Sequence, residues 1–208
     1  MGFTADQVRW MALPYEQSYA PGPKDFDMYL AQVSYKSARA ERADFSTSYY
    51  DVNQALVAVK GTPITEATTI DELKSYNIAA PLGTTSYDTI VNVIQPDTEP
   101  GVFNSLDDTV AALNAGEVDG IIVDYPTAVY LADPFVQEVH DGVAVGQFPA
   151  ATDGTAEYFG TVQAKGSTLT PCIDQALEEM RTDGTLQDLQ NTWLSQKTNV
   201  GSVPAFTS

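Results

Sequence analysis

The stretch that decides the fold is Gly120-Ile-Ile-Val-Asp-Tyr-Pro126. An uninterrupted apolar run of this length predicts a strand, Gly120–Val123, that is buried on both faces. Pro126 is the residue type that favours the first turn of a helix, and the acidic residue Asp124 falls at the junction. A buried strand followed at once by a helix is typical of an α/β fold.

The rest of the chain repeats this alternation of short β-rich runs and helix signals, which predicts an α/β architecture throughout. Thr69–Glu72 has the spacing of a capping box, Ser105–Asp108 is an acidic version of it, and Thr170 precedes a proline at a predicted helix start. The predicted strands are Val8–Met11, Met28–Val33, Ala55–Val59, Ile78–Ala80, Gly120–Val123, Val143–Phe148 and Phe159–Gln163.

The C-terminal part of the chain predicts two helices. An apolar stripe over residues 169–180 indicates that the first of them packs on a core. Thr185–Gln196 is the predicted last helix, with Leu186, Leu189 and Trp193 facing inward, and residues 197–208 are predicted to form a tail.

Charge excludes some classes of partner. The net charge is −18, from 28 acidic and 10 basic residues among 208, so a nucleic-acid backbone or an anionic membrane face would be repelled. Residues 1–60 hold six basic and seven acidic side chains, whereas residues 61–159 hold one basic residue, Lys74, and sixteen acidic ones. This asymmetry indicates two units with different surfaces.

Single copies of cysteine and histidine restrict the chemistry further. Cys172 has no second cysteine for an intrachain disulfide or a multi-cysteine metal site. We expect Cys172 to pack as a small apolar residue and His140, between charged neighbours, to face solvent. The residues therefore indicate no metal and no cofactor.

Arg39 lies just past the predicted strand Met28–Val33, where open α/β sheets bind ligands. Its planar fork can grip a carboxylate with two parallel hydrogen bonds. Two interpretations are open from the residues alone: Arg39 binds an anionic ligand, or it is a surface residue paired with Glu41 or Asp44.

Two further segments contain groups that could bind the charged parts of a ligand. Leu82–Ser86 joins a strand to a helix, and its free N–H groups suit an anion, although it is also an ordinary small-residue connection. Asp124 either caps the helix that follows it or holds an ammonium group in a cleft. With Arg39, these segments offer one cation, one anion-binding helix start and one anion, which a zwitterionic amino acid requires. No nucleophile–base pair or paired catalytic carboxylates are indicated.

In their order, these segments resemble the bilobal solute-binding proteins specific for polar amino acids. That family has a pattern like G-x-[ST]-x-T-x-x-R, which stands here as Gln32-Val-Ser-Tyr-Lys-Ser-Ala-Arg39. The resemblance runs from Val8 to about Trp193 and includes Asp44–Tyr50, Gln54–Gly61, Leu82–Ser86, Gly120–Asp124, Tyr158–Gly160, Ala176–Thr185 and Trp193-Leu194.

The resemblance implies an α/β, two-lobed periplasmic-binding-protein-like fold in which each lobe is a mixed sheet flanked by helices. Residues 1–53 and 155–208 would form lobe 1, and residues 54–154 would form lobe 2, with crossovers near Tyr49–Asn53 and Thr155–Phe159.

The same resemblance implies roles for individual residues. Arg39 would bind the ligand α-carboxylate with help from Ser34 and the Thr84–Thr85 loop, and Asp124 would accept from the α-ammonium group. Tyr15 falls where the family places an aromatic ring on the ligand. The implied ligand-binding residues are Tyr15, Gln32, Ser34, Arg39, Thr84, Thr85 and Asp124.

Two departures from the family pattern stand out. Lys36 replaces the usual threonine and either adds a charge to the pocket or points to solvent. The family also begins with a strand, a ligand loop and a long helix before the region matching Gly2–Trp10. We therefore expect lobe 1 to lack its N-terminal strand and helix, Met1 to be an internal methionine of a longer gene, and the incomplete lobe to self-associate through an open strand edge.

The implied function is to bind a free amino acid in the cleft between the lobes and to deliver it to the membrane subunits of an ABC importer. The expected location is extracytoplasmic, in the periplasm or anchored at the cell surface, although this sequence carries no export signal. The resemblance implies no enzymatic activity. Two alternatives are an enzyme on the same scaffold, such as a dehydratase of cyclic amino-acid precursors, and a non-binding remnant or sensor module.

Overall fold

The computed structural model describes residues 2–149, 156–196, 198 and 200–207. The chain divides into two compact units, of which unit 1 is Met1–Asp51 with Asp153–Leu189 and unit 2 is Val52–Thr152 with Gln190–Ser208. Both contain strands and helices, so the predicted α/β class is confirmed. The predicted lobe bounds differ at the C-terminus, because residues 190–208 lie in unit 2 and not with residues 1–53. The crossover at Thr155 is outside the described residues.

Unit 1 is organised around its most buried strand. The strand β9 (Tyr158–Ala164) pairs antiparallel with three other strands, and five of its seven residues are buried. Val33, Ala43 and Val162 form the core beneath this sheet. The strands and helices are β1 (Tyr29–Ser34), α1 (Ser37–Ala40), β2 (Ala43–Phe45), β3 (Tyr50–Asp51), β9 (Tyr158–Ala164), α5 (Thr170–Thr182) and α6 (Thr185–Asn191), whose last two residues belong to unit 2, with short 3-10 helices at Ala5–Gln7 and Tyr15–Ser18.

The predicted strand Val8–Met11 is wrong. Residues 8–11 are exposed and lie in no strand or helix. An apolar run becomes a strand only where a neighbour takes up its backbone N–H and C=O groups, and no strand pairing of the described residues includes it. The sequence did not predict β2 and β3, because segments of three and two residues are too short to show an alternation of apolar and polar side chains.

The two C-terminal helices confirm the prediction only in part. Ile173 and Leu177 of α5 are buried, as the apolar stripe predicts. Helix α5 begins at Thr170 itself, so Leu169 occupies the cap position that was predicted for Thr170. Cys172 is exposed and not packed.

The last helix has an exposed apolar face. Helix α6 continues as a π-helix over Thr192–Gln196. Leu189 and Trp193 are 46% and 58% exposed, so the prediction that they face inward is wrong. Helical spacing identifies an apolar face, but only packing by another element buries it.

Unit 2 contains a five-stranded mixed sheet in the order β6 (Gly101–Phe103), β5 (Ile78–Pro81), β7 (Gly120–Asp124), β4 (Gln54–Val59) and β8 (Gly142–Gln147). β5 is parallel to β6 and β7, whereas β4 runs antiparallel to β7 and β8. Apolar cores cover both faces. The strands and helices are β4 (Gln54–Val59), β5 (Ile78–Pro81), α2 (Thr85–Thr89), β6 (Gly101–Phe103), α3 (Leu106–Ala115), β7 (Gly120–Asp124), α4 (Tyr125–Leu131) and β8 (Gly142–Gln147), with 3-10 helices at Pro63–Glu66 and Asp71–Ser75 and a π-helix at Ile90–Ile94.

The predicted cap at Ser105 is confirmed, and the predicted contacts between Thr69 and Glu72 form, although Ile70 occupies the cap position of the 3-10 helix Asp71–Ser75. The Ser105 hydroxyl accepts from the Asp108 N–H at 3.0 Å and caps α3. The Thr69 hydroxyl accepts from the Glu72 N–H at 3.3 Å, while a Glu72 carboxylate oxygen accepts from the Thr69 N–H at 3.0 Å. These paired contacts are those of a capping box.

The C-terminal residues are not a free tail, contrary to the sequence prediction. The Phe206 N–H donates to the Gln147 carbonyl at 2.9 Å, and the Phe206 side chain is 3% exposed. Its ring centre lies 5.2 Å from that of Phe148. A Cβ at Gly146 would lie 2.6 Å from the Phe206 ring, so glycine leaves the space that the ring fills. A short segment whose sequence has neither helical nor strand periodicity can therefore still supply a buried side chain to a hydrophobic core.

The topology of unit 2 brings three segments to one edge of its sheet. β5 and β7 are parallel, so their C-terminal ends lie at the same edge. β4 is antiparallel to β7, and its first residue, Gln54, pairs with Asp124, the last residue of β7. Ligands of open α/β sheets bind at such carboxyl edges.

Candidate ligand-binding site

Arg39 in unit 1 is a buried cation. It lies in the single turn α1, is 5% exposed and donates from Nη1 to the Ser34 carbonyl at 2.7 Å. Arg39 is therefore not a surface residue, and Asp44 forms an ion pair with Lys165 at 3.3 Å. The guanidinium thus has a fixed orientation.

Two tyrosine rings contact this guanidinium. Its central carbon lies 5.6 Å from the ring centre of Tyr15 and 4.6 Å from that of Tyr19. The two rings meet edge to face, with centres 5.6 Å apart. The sequence indicated Tyr15 but not Tyr19. A signal that could have pointed to Tyr19 is its position four residues after Tyr15, a spacing that places two side chains on the same side of a helical turn. Such cation–π contacts stabilise a desolvated arginine by about 2 kcal/mol.

Ser34 joins Arg39 to a second charged residue that sequence reasoning missed. The Ser34 side chain is buried, and its hydroxyl donates to a carboxylate oxygen of Glu157. Glu157 lies just before β9, and the pairing of Ser34 with Phe159 brings it to the end of β1. The structure therefore brings together Ser34, Arg39 and Glu157, a carboxylate that no sequence motif indicated.

Gln32 and Lys36 contact this group less directly. The Gln32 side chain is exposed, its backbone has a φ of 54°, and its N–H donates to the Tyr49 hydroxyl at 3.0 Å. Lys36 is half-buried, and its carbonyl accepts from the Arg39 N–H at 2.9 Å. Its backbone therefore helps to form the turn that carries Arg39.

Burial also acts on two tyrosines of unit 1. Burial raises the pKa of Tyr29, and the nearby Glu16 and Tyr19 raise it further. Burial likewise raises the pKa of Tyr158, with smaller contributions from Tyr35 and Asp174. Both phenols therefore stay neutral at physiological pH, and their rings pack against Phe26 and Tyr35, respectively.

The second group lies at the sheet edge of unit 2 and is centred on Gln54. The Gln54 side-chain nitrogen donates to Asp124 at 2.6 Å and to the Thr85 hydroxyl at 3.2 Å. The Ser86 hydroxyl donates to the Gln54 side-chain oxygen at 2.7 Å. Gln54 is 5% exposed, whereas Asp124 and Thr85 are half-buried.

The side chains of Thr84 and Asp124 have different roles. The Thr84 hydroxyl accepts from the Tyr87 N–H at 3.2 Å, which caps α2, and donates to the Pro81 carbonyl at 2.7 Å. Asp124 occupies the cap position of α4, but its side chain makes no capping hydrogen bond. Asp124 thus occupies the predicted cap position without a side-chain cap, and its carboxylate accepts from Gln54 instead.

Each group by itself has a defined chemistry. The unit 1 group presents a guanidinium between aromatic rings, which suits a carboxylate. The unit 2 group presents a carboxylate beside hydroxyl groups, which suits an ammonium group. Among the described residues, no cluster of three or more His, Cys, Asp or Glu side chains could hold a metal ion. Within the same residues, no helix is long and apolar enough to cross a membrane.

The chain is similar to known proteins of one family. The family described as bacterial extracellular solute-binding proteins, family 3, matches residues 7–196. The L-cystine-binding protein TcyJ of Escherichia coli is 29% identical over 82% of this chain and 60% of its own length. A putative ABC transporter arginine-binding protein of Escherichia coli is 27% identical over 94% of this chain and 82% of its own length. The chain thus spans about 60% of the length of the cystine-binding relative.

Solved structures show the same fold. An ancestral arginine-binding protein bound to arginine superposes with a TM-score of 0.64 and 27% identity, over 81% of this chain and 72% of that one. The AvGluR1 ligand-binding domain in complex with alanine gives a TM-score of 0.68 at 25% identity, over 85% of this chain and 71% of that one.

Proposed function

Because the chain belongs to family 3 of the bacterial extracellular solute-binding proteins, we propose that it binds a free amino acid and delivers it to the membrane subunits of an ABC importer. The observation that carries the proposal is the buried Arg39, oriented by the Ser34 carbonyl and packed against two tyrosine rings. A guanidinium held in one orientation is the group that recognises a carboxylate by two parallel hydrogen bonds. Relatives that bind cystine and arginine support an amino acid as the ligand.

We assign the ligand contacts by charge. Arg39 binds the α-carboxylate with Ser34, and Asp124 accepts from the α-ammonium group. Thr84 and Thr85 assist from the turn before α2. Tyr15 packs on the ligand, and Gln32 borders it. The two groups lie in different units, so the assignment rests on the chemistry of each group by itself.

The location and the lobe organisation follow from the family. We propose that the protein acts outside the cytoplasm, in the periplasm or at the cell surface, and that units 1 and 2 correspond to the two lobes of its relatives. The family match favours solute binding over the dehydratase alternative, because the relatives are named for the amino acids that they bind.

We also propose that copies of the chain associate through β1. β1 lies at one end of the order β1-β9-β2, and no second strand pairs with it among the described residues. Its Leu30 side chain is 51% exposed. A strand edge with apolar side chains is a template for another strand.

A thermal-shift screen against the twenty common amino acids and L-cystine tests the binding proposal. A ligand present at 100 times its Kd stabilises the folded state by about 2.7 kcal/mol, which raises Tm by roughly 5–10 °C for a chain of this size. At least one amino acid should produce such a shift, and its decarboxylated analogue should not. The absence of a shift with all of them would contradict the proposal.

A further inference from the structure

We propose that Gln54 is a positioning residue for the ligand, which orients Asp124 toward the α-ammonium group and couples it to Thr85. The inference rests on the proposed function, because it concerns how the Asp124 group is held. Gln54 lies outside the two sequence segments, Leu82–Ser86 and Gly120–Pro126, that were expected to bind the ligand. The fold brings its side chain into contact with both of them.

The hydrogen bonds of Gln54 define the orientation of its amide. An ionised carboxylate can only accept hydrogen bonds, so the nitrogen and not the oxygen must face Asp124, at 2.6 Å. The oxygen then faces the Ser86 hydroxyl, which donates to it at 2.7 Å. Both ends of the amide are therefore specified by their partners.

The backbone also holds Gln54 in place. As the first residue of β4, it pairs with Asp124 in the antiparallel register, and its carbonyl accepts from the Phe148 N–H at 2.8 Å. The side chain is 5% exposed, so rotation away from Asp124 would leave polar groups buried without partners. Asp124 therefore meets the ligand already oriented, which reduces the ordering that binding requires.

Thr85 gains a defined role from the same amide. Its hydroxyl oxygen accepts from the Gln54 nitrogen at 3.2 Å. A hydroxyl that accepts still carries its own proton, so Thr85 can donate to an anion while Asp124 accepts from a cation. The α-carbon of an amino acid carries both an ammonium and a carboxylate group, which Asp124 and Thr85 can then contact side by side.

Glutamine meets these requirements at position 54, and three similar side chains do not. Glutamate would place a second carboxylate beside Asp124, and like charges at this distance repel. Asparagine is one methylene shorter and cannot reach Asp124 and Ser86 together. Methionine preserves the length and volume but offers neither donor nor acceptor, so it removes the contacts with little change in packing.

Isothermal titration calorimetry on the full chain tests the inference. The probes are the twenty common amino acids and L-cystine, and the variants are Gln54→Met, Gln54→Asn, Asp124→Ala and the double variant Gln54→Met/Asp124→Ala. Asn53→Ala is the matched control, because Asn53 precedes Gln54 in the chain and pairs instead with Gln147, at 3.0 Å. Thermal unfolding of each variant shows whether it is folded.

We expect Gln54→Met to weaken binding at least tenfold, Gln54→Asn to behave similarly, and Asn53→Ala to remain within twofold of the wild type. In the Asp124→Ala background, Gln54→Met should weaken binding by a clearly smaller factor than in the wild type, because only its effect through Thr85 remains. A purely structural role would give the same loss in both backgrounds.

The outcomes separate the two proposals. If the wild type binds no probe, the proposed function and this inference both fail. Suppose instead that the wild type binds and that Asp124→Ala weakens binding. The role of Gln54 is then refuted, and the proposed function stands, if the folded Gln54→Met and Gln54→Asn variants bind normally. The same conclusion follows if Gln54→Met weakens binding by the same factor with and without Asp124→Ala.

Discussion

Replacement of Phe206 by alanine should destabilise unit 2 strongly, because this aromatic residue closes a core from the C-terminal segment. The side chain is 3% exposed and packs against Phe148 and Gly146. Removal of a buried phenylalanine side chain costs about 3–5 kcal/mol, from lost burial and the cavity that remains. Total stabilities are commonly about 5–15 kcal/mol, so the loss is a large fraction of the whole.

Urea unfolding followed by circular dichroism measures this loss. Phe135→Ala is the matched control, since it makes the same chemical change in the same unit at a side chain that is 83% exposed. We expect the control to change the free energy of unfolding by less than about 0.5 kcal/mol. If Phe206→Ala and Phe135→Ala were equally mild, the C-terminal segment would not be part of the core. The substitution should also disturb the residues around Gln54, because the backbone N–H of Phe148, which packs on Phe206, donates to the Gln54 carbonyl.

Two further predictions concern stability and association. Hydrogen bonds from the backbone N–H groups of Thr68 and Thr69 lower the pKa of Glu72 in the folded state. These hydrogen bonds therefore stabilise the protein fully at a pH above the pKa that Glu72 has in the unfolded chain. The stabilisation is lost as the pH falls through the lower pKa of the folded state. The difference in Tm between wild type and Glu72→Gln should therefore shrink on acidification, and a difference independent of pH would contradict the cap. Leu30→Lys should reduce association through β1 in light scattering, because charged residues on an edge strand oppose pairing, and a monomeric wild type would refute that proposal.

Much of the fold could be predicted because its signals are local. The buried run before Asp124, the caps at Thr69 and Ser105 and the β-rich segments each act over a few residues. Val8–Met11 shows the limit of such signals, since an apolar run specifies a strand only when a partner strand is present. Trp193 shows the same limit for helices.

The site could be predicted only where a single segment supplies the chemistry. Arg39 and Asp124 stand out because a charged residue follows an apolar strand. Gln54 does not stand out, because its role depends on the antiparallel register that sets it opposite Asp124. Glu157 is brought to Ser34 by a strand pairing across more than 120 residues. Phe206 was missed because its segment has no periodicity to read.

The most direct test of the central claim is calorimetry of the wild type, Arg39→Ala and Asp124→Ala with the amino acid that the screen identifies. Arg42→Ala and Asp107→Ala are controls, since both residues are exposed. Loss of one partner of a desolvated charge pair costs about 2–5 kcal/mol, and a tenfold loss of affinity corresponds to about 1.4 kcal/mol. The account predicts that each site variant binds at least tenfold more weakly while both controls bind normally. Unchanged affinity in Arg39→Ala and Asp124→Ala would contradict it.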